Sequence, residues 1–249
     1  MTAKTAATAK GAPSVEQLLS VGAHYAYSRS RRHPSARPFI FGAKEGVEIF
    51  DIEQTRDALG KAADFLAAVA AAGKPVIFVS GKKEIARLVK AAAESAESPY
   101  VVGRWIGGTL TNFEAIQKRI SLYHELREQR EKGELAKYTK KERLLIDRKI
   151  EDLEESFGGI SQMRTRPGAI VAIDPKREHI AVTEAMETRV PVVALANADC
   201  DLAKVGYPIP GNDSAIAAVE LVLGCLAEAV KVGKAELAAK PALTAAPAA

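Results

Sequence analysis

Residues 169–196 read AIVAIDPKREHIAVTEAMETRVPVVALA, and this stretch decides the fold. Ala169–Ile173 and Val192–Ala196 are short runs with no polar residue at any position. A strand that is apolar throughout is buried on both of its faces, as the strands of a parallel sheet are. The mixed segment Arg177–Thr188 between them is expected to be an amphipathic helix. Strand, helix and strand in that order imply a right-handed crossover within one parallel sheet.

Working outward, the same rhythm recurs. Pro75–Val79 and Tyr100–Val102 are further short apolar strands, with Lys82–Ala96 as a helix between them. Gln54–Ala72 repeats Leu59, Ala62, Phe65, Leu66 and Val69 at helical spacing and stops at Gly73. Asp213–Val232 is expected to be the last helix. The fold class is therefore α/β, a doubly wound parallel sheet covered on both faces. Nearer the N-terminus, Ser14 can cap a short helix over Ser14–Val21. Phe39-Ile40-Phe41 and Val47–Ile52 flank Gly42–Gly46 as an antiparallel hairpin.

Residues 112–159 break the rhythm. Phe113, Ile116, Ile120, Tyr123 and Leu126 form one stripe, and Leu135, Tyr138, Leu145, Ile146, Ile150, Leu153 and Phe157 a second, looser one. Basic and acidic residues are interspersed throughout and nearly cancel. A narrow apolar seam in a charged surface predicts two antiparallel helices zipped along one side. Each arm would project roughly 30 Å at the usual helical rise. The expected organisation is a tail over 1–13, an α/β domain from 14–111 and 160–232, an α-helical coiled-coil hairpin insertion over 112–159, and an Ala/Pro-rich disordered tail over 233–249.

The chain has 249 residues and a formal net charge of only +4, a weak pointer to polyanions by itself. Its distribution says more. Between His24 and Gly46, Arg29, Arg31, Arg32, Arg37 and Lys44 face a single acid, Glu45. The run SRSRRHPSARP over 28–38 sets arginines among serines and prolines, which suits an extended arm laid along phosphates. Tyr25 and Tyr27 could stack on exposed bases. Cys200 and Cys225 have neither disulfide-framework nor zinc-site spacing and fit a reducing compartment. The most apolar stretch, Ala215–Val230, is interrupted by Glu220 and Glu228 and reads as a buried helix, so a cytosolic protein with no membrane role is expected.

Enzyme signals are weaker. Ser80-Gly81-Lys82-Lys83 follows a strand and opens a helix, but it lacks the first glycine and the Ser/Thr of a P-loop. Lys82 and Lys83 there suit a nucleic-acid phosphate better than a triphosphate. Residues 103–112, GRWIGGTLTN, lie at a strand's C-terminal end with Arg104 as charge and Asn112 as a helix cap. His24, His33, His124 and His179 show no paired metal spacing. Asp174, Asp199 and Asp201 could approach one another, though strand-end aspartates commonly cap turns. On these residues alone, a sugar-phosphate or nucleotide-binding enzyme and a coiled-coil adaptor remain as alternatives to an RNA-binding scaffold.

Several strings resemble the bacterial small-subunit ribosomal protein S-two family. They are GAHY at 22–25, RPFIFG at 37–42, IFDI at 49–52, GRWIGGTLTN at 103–112, KKER at 140–143, GGI at 158–160, DPKREHIA at 174–181 and YPIPGND at 207–213. Together they span about residues 15–230 in the family's order. The sequence departs from the family at Tyr27, where a second His is usual, and at Arg32-His33-Pro34, where Trp-Asn-Pro is usual. The resemblance implies a flavodoxin-like domain carrying a projecting coiled coil, ribosome-bound in the cytoplasm near the head–body junction of the small subunit. It further implies small-subunit rRNA and neighbouring ribosomal proteins, with ribosomal protein S one among them, as partners. RNA contacts are expected from Tyr25, Tyr27, Arg29, Arg31, Arg32, Arg37, Lys44, Lys82, Lys83 and Arg104, with no catalytic residue, metal, cofactor or small-molecule substrate.

Overall fold

The computed structural model describes residues 12–239. Five parallel strands form the central sheet: β4 (Val76–Ser80), β5 (Tyr100–Val102), β6 (Ala169–Ile173), β7 (Val192–Ala196) and β8 (Tyr207–Pro210), in the order β5-β4-β6-β7-β8. Ahead of them come α1 (Val15–Ser20) and the strands β1 (Tyr25–Ser28), β2 (Ile40–Lys44) and β3 (Val47–Phe50), which make a separate antiparallel sheet. The helices α2 (Ile52–Ala71), α3 (Ala86–Ser95), α4 (Phe113–Glu131), α5 (Lys140–Phe157), α6 (His179–Glu187) and α7 (Ile216–Ala239) complete the chain.

Side-chain alternation along the buried strands divides the interior into two cores. Val76, Phe78, Val171, Ile173, Val193 and Leu195 face α2, α3 and α7. Ile77, Val79, Ile170, Ala172, Val192 and Ala194 face the other way, onto Ala181, Val182 and Ala185 of α6 and onto the near halves of α4 and α5. Phe113, Ile116, Ile120, Ile150, Leu153 and Phe157 belong to that second core. Residues expected to stand apart as an insertion therefore supply the crossover from β5 to β6 and cover part of one face of the sheet.

The far halves are different. Leu135 is buried between the helices, but Leu145, expected in the seam, is 54% exposed, Leu144 is 51% exposed and Tyr138 is also exposed. The regular stripe ends near Leu126 and Ile146, both half-buried. Beyond it the helix pair is too narrow to cover a broader apolar face.

Two expectations needed correction, and one strand lies where none was expected. The arginine run is not an extended arm: β1 pairs with β3, Arg29–Arg31 and Pro34–Phe39 are 3-10 turns, and the whole segment folds against the parallel sheet. Two prolines are compatible with this because their fixed φ suits a 3-10 turn and Pro34 opens one. Tyr207–Pro210 is a strand despite its prolines, which is tolerable because β8 is an edge strand with one side free of the ladder. The last helix does not stop at Val232 but continues to Ala239. It is held there by Gly233, where a Cβ would collide with the Ala67 carbonyl of α2, and by Lys234 Nζ, which donates to the Glu97 carbonyl at 2.7 Å. Residues 1–11 and 240–249 of the two expected tails lie outside the described residues.

The expected hairpin is present, with Lys44 opposite Val47 across a two-residue turn. Glu45 (φ 52°) and Gly46 (φ 81°) are both left-handed, the geometry that matches the twist of paired strands. The Ser14 cap is also present, as a reciprocal capping box with Gln17.

Candidate nucleic-acid interface

The three-stranded sheet sits over the C-terminal ends of β7 and β8. His33 N–H donates to the Ala198 carbonyl at 2.8 Å, Leu202 N–H to Ser35 Oγ at 3.0 Å, and Asn212 N–H to the Ala23 carbonyl at 2.9 Å. Ala26, Ala36 and Phe50 pack with Ala196, Ala198, Cys200 and Leu202 beneath it. The basic segment is thus a braced surface, and its cations lose less conformational entropy on binding than those of a free tail.

The ten residues expected to contact RNA fall into three groups. Arg29, Arg31, Arg37 and Lys44 are exposed and have no carboxylate partner among the described residues. Ser28 and Lys44 both stand opposite Val47, on either side of β3, so Arg29 and Lys44 share one end of the small sheet. Tyr25, at the other end of β1 and opposite Ile49, is half exposed. Lys83 and Arg104 are exposed too, but they follow β4 and β5 at the opposite side of the parallel sheet and form a separate pair.

Arg32, Tyr27 and Lys82 point inward. Arg32 Nη1 lies 2.6 Å from Glu48 Oε1, and Glu48 is only 2% exposed, so this guanidinium neutralises a buried acid. Tyr27 is held at both ends, its N–H donating to Asn197 Oδ1 at 3.2 Å and its hydroxyl lying 2.9 Å from Ser214 Oγ. Lys82 Nζ sits 2.7 Å from Asp213 Oδ2 and 3.1 Å from Asp174 Oδ2. Burial works to lower the Lys82 pKa, but the hydrogen bond and charge of Asp213, then those of Asp174, overcome it and raise the value.

The crevice at the ends of these strands, where doubly wound sheets hold ligands, is filled by the chain's own groups. Asp174 and Asp213 face Lys82, and Asp199 faces Lys176 at 2.9 Å. No group of three or more metal-type side chains is assembled among the described residues. Cys200 lies against Asp174 and Asp199, and burial followed by those charges pushes its thiol up to about 12, which makes it unreactive.

The GRWIGGTLTN loop is organised by a residue that the sequence reading missed. Glu184, buried on α6, accepts from Gly108 N–H at 2.7 Å, Leu110 N–H at 2.9 Å, Trp105 Nε1–H at 3.2 Å, and both the N–H and the hydroxyl of Thr111 at 3.3 Å. Burial alone would raise its pKa, but these donors outweigh it and hold the carboxyl below the ordinary range. Asn112, expected to cap α4, makes no side-chain cap bond. A signal was present in the sequence: Glu184 falls in the apolar face of α6 beside Ala181 and Ala185, where an acid must be paired.

The α4–α5 pair is neutral only in total. From Arg130 to Lys149, Arg130, Lys132, Lys137, Lys140, Lys141, Arg143, Arg148 and Lys149 outnumber Glu131, Glu134, Glu142 and Asp147. Nearer the sheet, Glu114, Glu125, Glu128, Glu151, Asp152, Glu154 and Glu155 outnumber Lys118, Arg119 and Arg127. The far end is therefore basic, about 28 Å along α4 from its buried start.

Comparison with known proteins bears on this arrangement. The profile of the family described as "Ribosomal protein S2" matches residues 18–233. The "Small ribosomal subunit protein uS2" of Roseiflexus sp. (strain RS-1) is 40% identical over 221 residues, covering 89% of this chain and 84% of that one. The protein of the same name from Solidesulfovibrio magneticus is 41% identical over 222 residues, 89% and 86% of the two chains. That of Chloroflexus aurantiacus is 38% identical over 219 residues, 88% and 92%.

Proposed function

The chain belongs to the ribosomal protein S2 family, and from that premise we propose that its braced arginine surface and the basic far end of its helix pair bind small-subunit rRNA. Its role in translation is structural, as a component of the small ribosomal subunit, and it is not an enzyme. Its partners are components of that particle.

The carrying observation is that Arg29, Arg31, Arg37 and Lys44 are exposed without carboxylate partners among the described residues, on a segment hydrogen-bonded to the parallel-sheet domain, while neighbouring cations are spent internally. Charge free of protein partners is what displaces counterions from a phosphate backbone. Tyr25 adds a ring for an unpaired base. Lys83 and Arg104, after β4 and β5 at the other side of the sheet, offer a second, separate pair of exposed cations.

The domain reading is a flavodoxin-like unit from 14–111 and 160–232 carrying a coiled coil over 112–159. The strand order supports the first part, since β4 to β8 in chain order take the sequence 2-1-3-4-5 across the sheet. Ile116, Ile120 and Tyr123 packed with Ile146, Ile150 and Leu153 support the second. Placement near the head–body junction, contact with ribosomal protein S one and cytoplasmic residence rest on the family resemblance. No helix among the described residues is long and apolar enough to cross a membrane.

Sedimentation with small subunits through a gradient at moderate salt tests the proposal. The wild-type chain should travel with the particle, and a variant with Arg29, Arg31, Arg37 and Lys44 all changed to Ala should be largely absent from it. Retention of that variant at wild-type level would remove the arm from the binding account.

A further inference from the structure

Resting on the reading of the arginine surface as an rRNA contact, we infer that Lys82 acts on RNA binding at a distance, positioning Arg31 through Asp213, Ser214 and Tyr27, and is itself no phosphate ligand. Its ammonium is turned away from solvent toward the Asp213 carboxylate (2.7 Å), the Asp213 carbonyl (3.2 Å) and Asp174 (3.1 Å). The other Asp213 oxygen accepts from Asn197 Nδ2 at 2.9 Å and from Ser214 Oγ at 3.2 Å. Because the single Ser214 hydroxyl proton is given to Asp213, the Tyr27 hydroxyl 2.9 Å away must donate to Ser214. Asn197, in turn, receives the Tyr27 N–H. Tyr27 is thereby fixed at its backbone and at its far end, and the Arg31 guanidinium lies over its ring, 5.6 Å from the centroid.

The relay has a direction that depends on the ammonium. Asp213 is 1% exposed, and a buried carboxylate persists only with a counter-charge. Without Lys82, the Asp213 side chain loses its counter-charge and turns toward solvent, and it no longer accepts from both Asn197 and Ser214. Tyr27 then loses the fixed partner for its hydroxyl, and Arg31 loses the platform beneath it. Arg37 lies outside the relay. Its turn is tied down by His33 and Ser35 to Ala198 and Leu202.

The test is the slope of log affinity for small-subunit rRNA against log salt, read in a set of variants of the full chain. In the wild-type background R31A should flatten the slope by about 0.9, the share of one neutralised phosphate. In K82M the same R31A change should add less than half of that, whereas R37A should still flatten the slope by the full about 0.9. Retention of the Arg37 share separates positioning from general loss of structure. If K82M does not melt cooperatively, Y27F carries the test, because it cuts the relay without changing any charge. Y27F should likewise abolish most of the Arg31 share. Equal effects of R31A in the wild type, K82M and Y27F would overturn the inference and leave the arginine surface standing. No effect of R31A or R37A in the wild type would instead overturn the surface, and the inference with it.

Discussion

The C-terminal rim of the parallel sheet and the far end of the α4–α5 pair are both rich in lysine and arginine, and they use that charge in opposite ways. At the rim, the largely buried Lys82 lies against Asp213 and Asp174, and Arg32 against Glu48. At the far end, Lys137, Lys140, Lys141, Arg143, Arg148 and Lys149 are exposed and have no ion-pair partner among the described residues. The difference lies in burial. A cation near a core must be matched by an acid, and the matched pair holds elements together. A cation in water gains little from a neighbouring acid, so its charge stays free for an outside polyanion. Residue type alone therefore does not separate a strut from a contact.

The largest effect expected on the inward side is at Glu184, where one carboxylate gathers donors from Trp105, Gly108, Leu110 and Thr111. E184A should cost about 3 kcal/mol of stability in a denaturant melt, because buried donors are left without an acceptor. A loss below about 0.5 kcal/mol would mean that the loop finds other partners, and the contrast between inward and outward charge would weaken.

Acid should expose the same dependence. The folded-state pKa of Glu184 lies below its ordinary value of 4.5. Its contribution is thus fully present above that value and is lost as the pH falls through the lowered one. The urea midpoint of the wild type should drop more steeply below about pH 4.5 than that of E184Q. Parallel curves would show that the carboxylate form is not what holds the loop.

The smallest stability effect belongs to the far end. Changing Lys137, Lys140, Lys141 and Arg143 to Ala should move stability by no more than about 0.5 kcal/mol. The rRNA salt slope should nevertheless flatten by about 0.9 for each phosphate that is no longer neutralised. A marked fall in melting temperature with an unchanged slope would reverse the assignment of that surface.

Much of this was legible in the sequence. The buried strands announced themselves because apolar residues at every position have few other uses, and the signature strings fixed the family. Boundaries and pairings were harder. Tyr25–Ser28 is not legible as a strand because it is four residues long, carries no run of aliphatic residues, and pairs with β3 only through the fold. Tyr207–Pro210 was hidden by prolines that only an edge strand accepts. Of the ten expected RNA-binding residues, Arg32, Tyr27 and Lys82 could not be sorted from Arg29, Arg31 and Arg37 by type or spacing, since Glu48, Ser214 and Asp213 reach them only through the fold. The charge polarity of α4 and α5 was present in the sequence, but it disappears when the segment is summed as a whole.

The measurement closest to the central claim is the salt dependence of small-subunit rRNA binding, compared between the wild type and the chain with Arg29, Arg31, Arg37 and Lys44 changed to Ala. The account predicts weaker binding and a log–log slope flattened by about 0.9 for each of these residues that meets a phosphate. The same slope and affinity in both chains would contradict it.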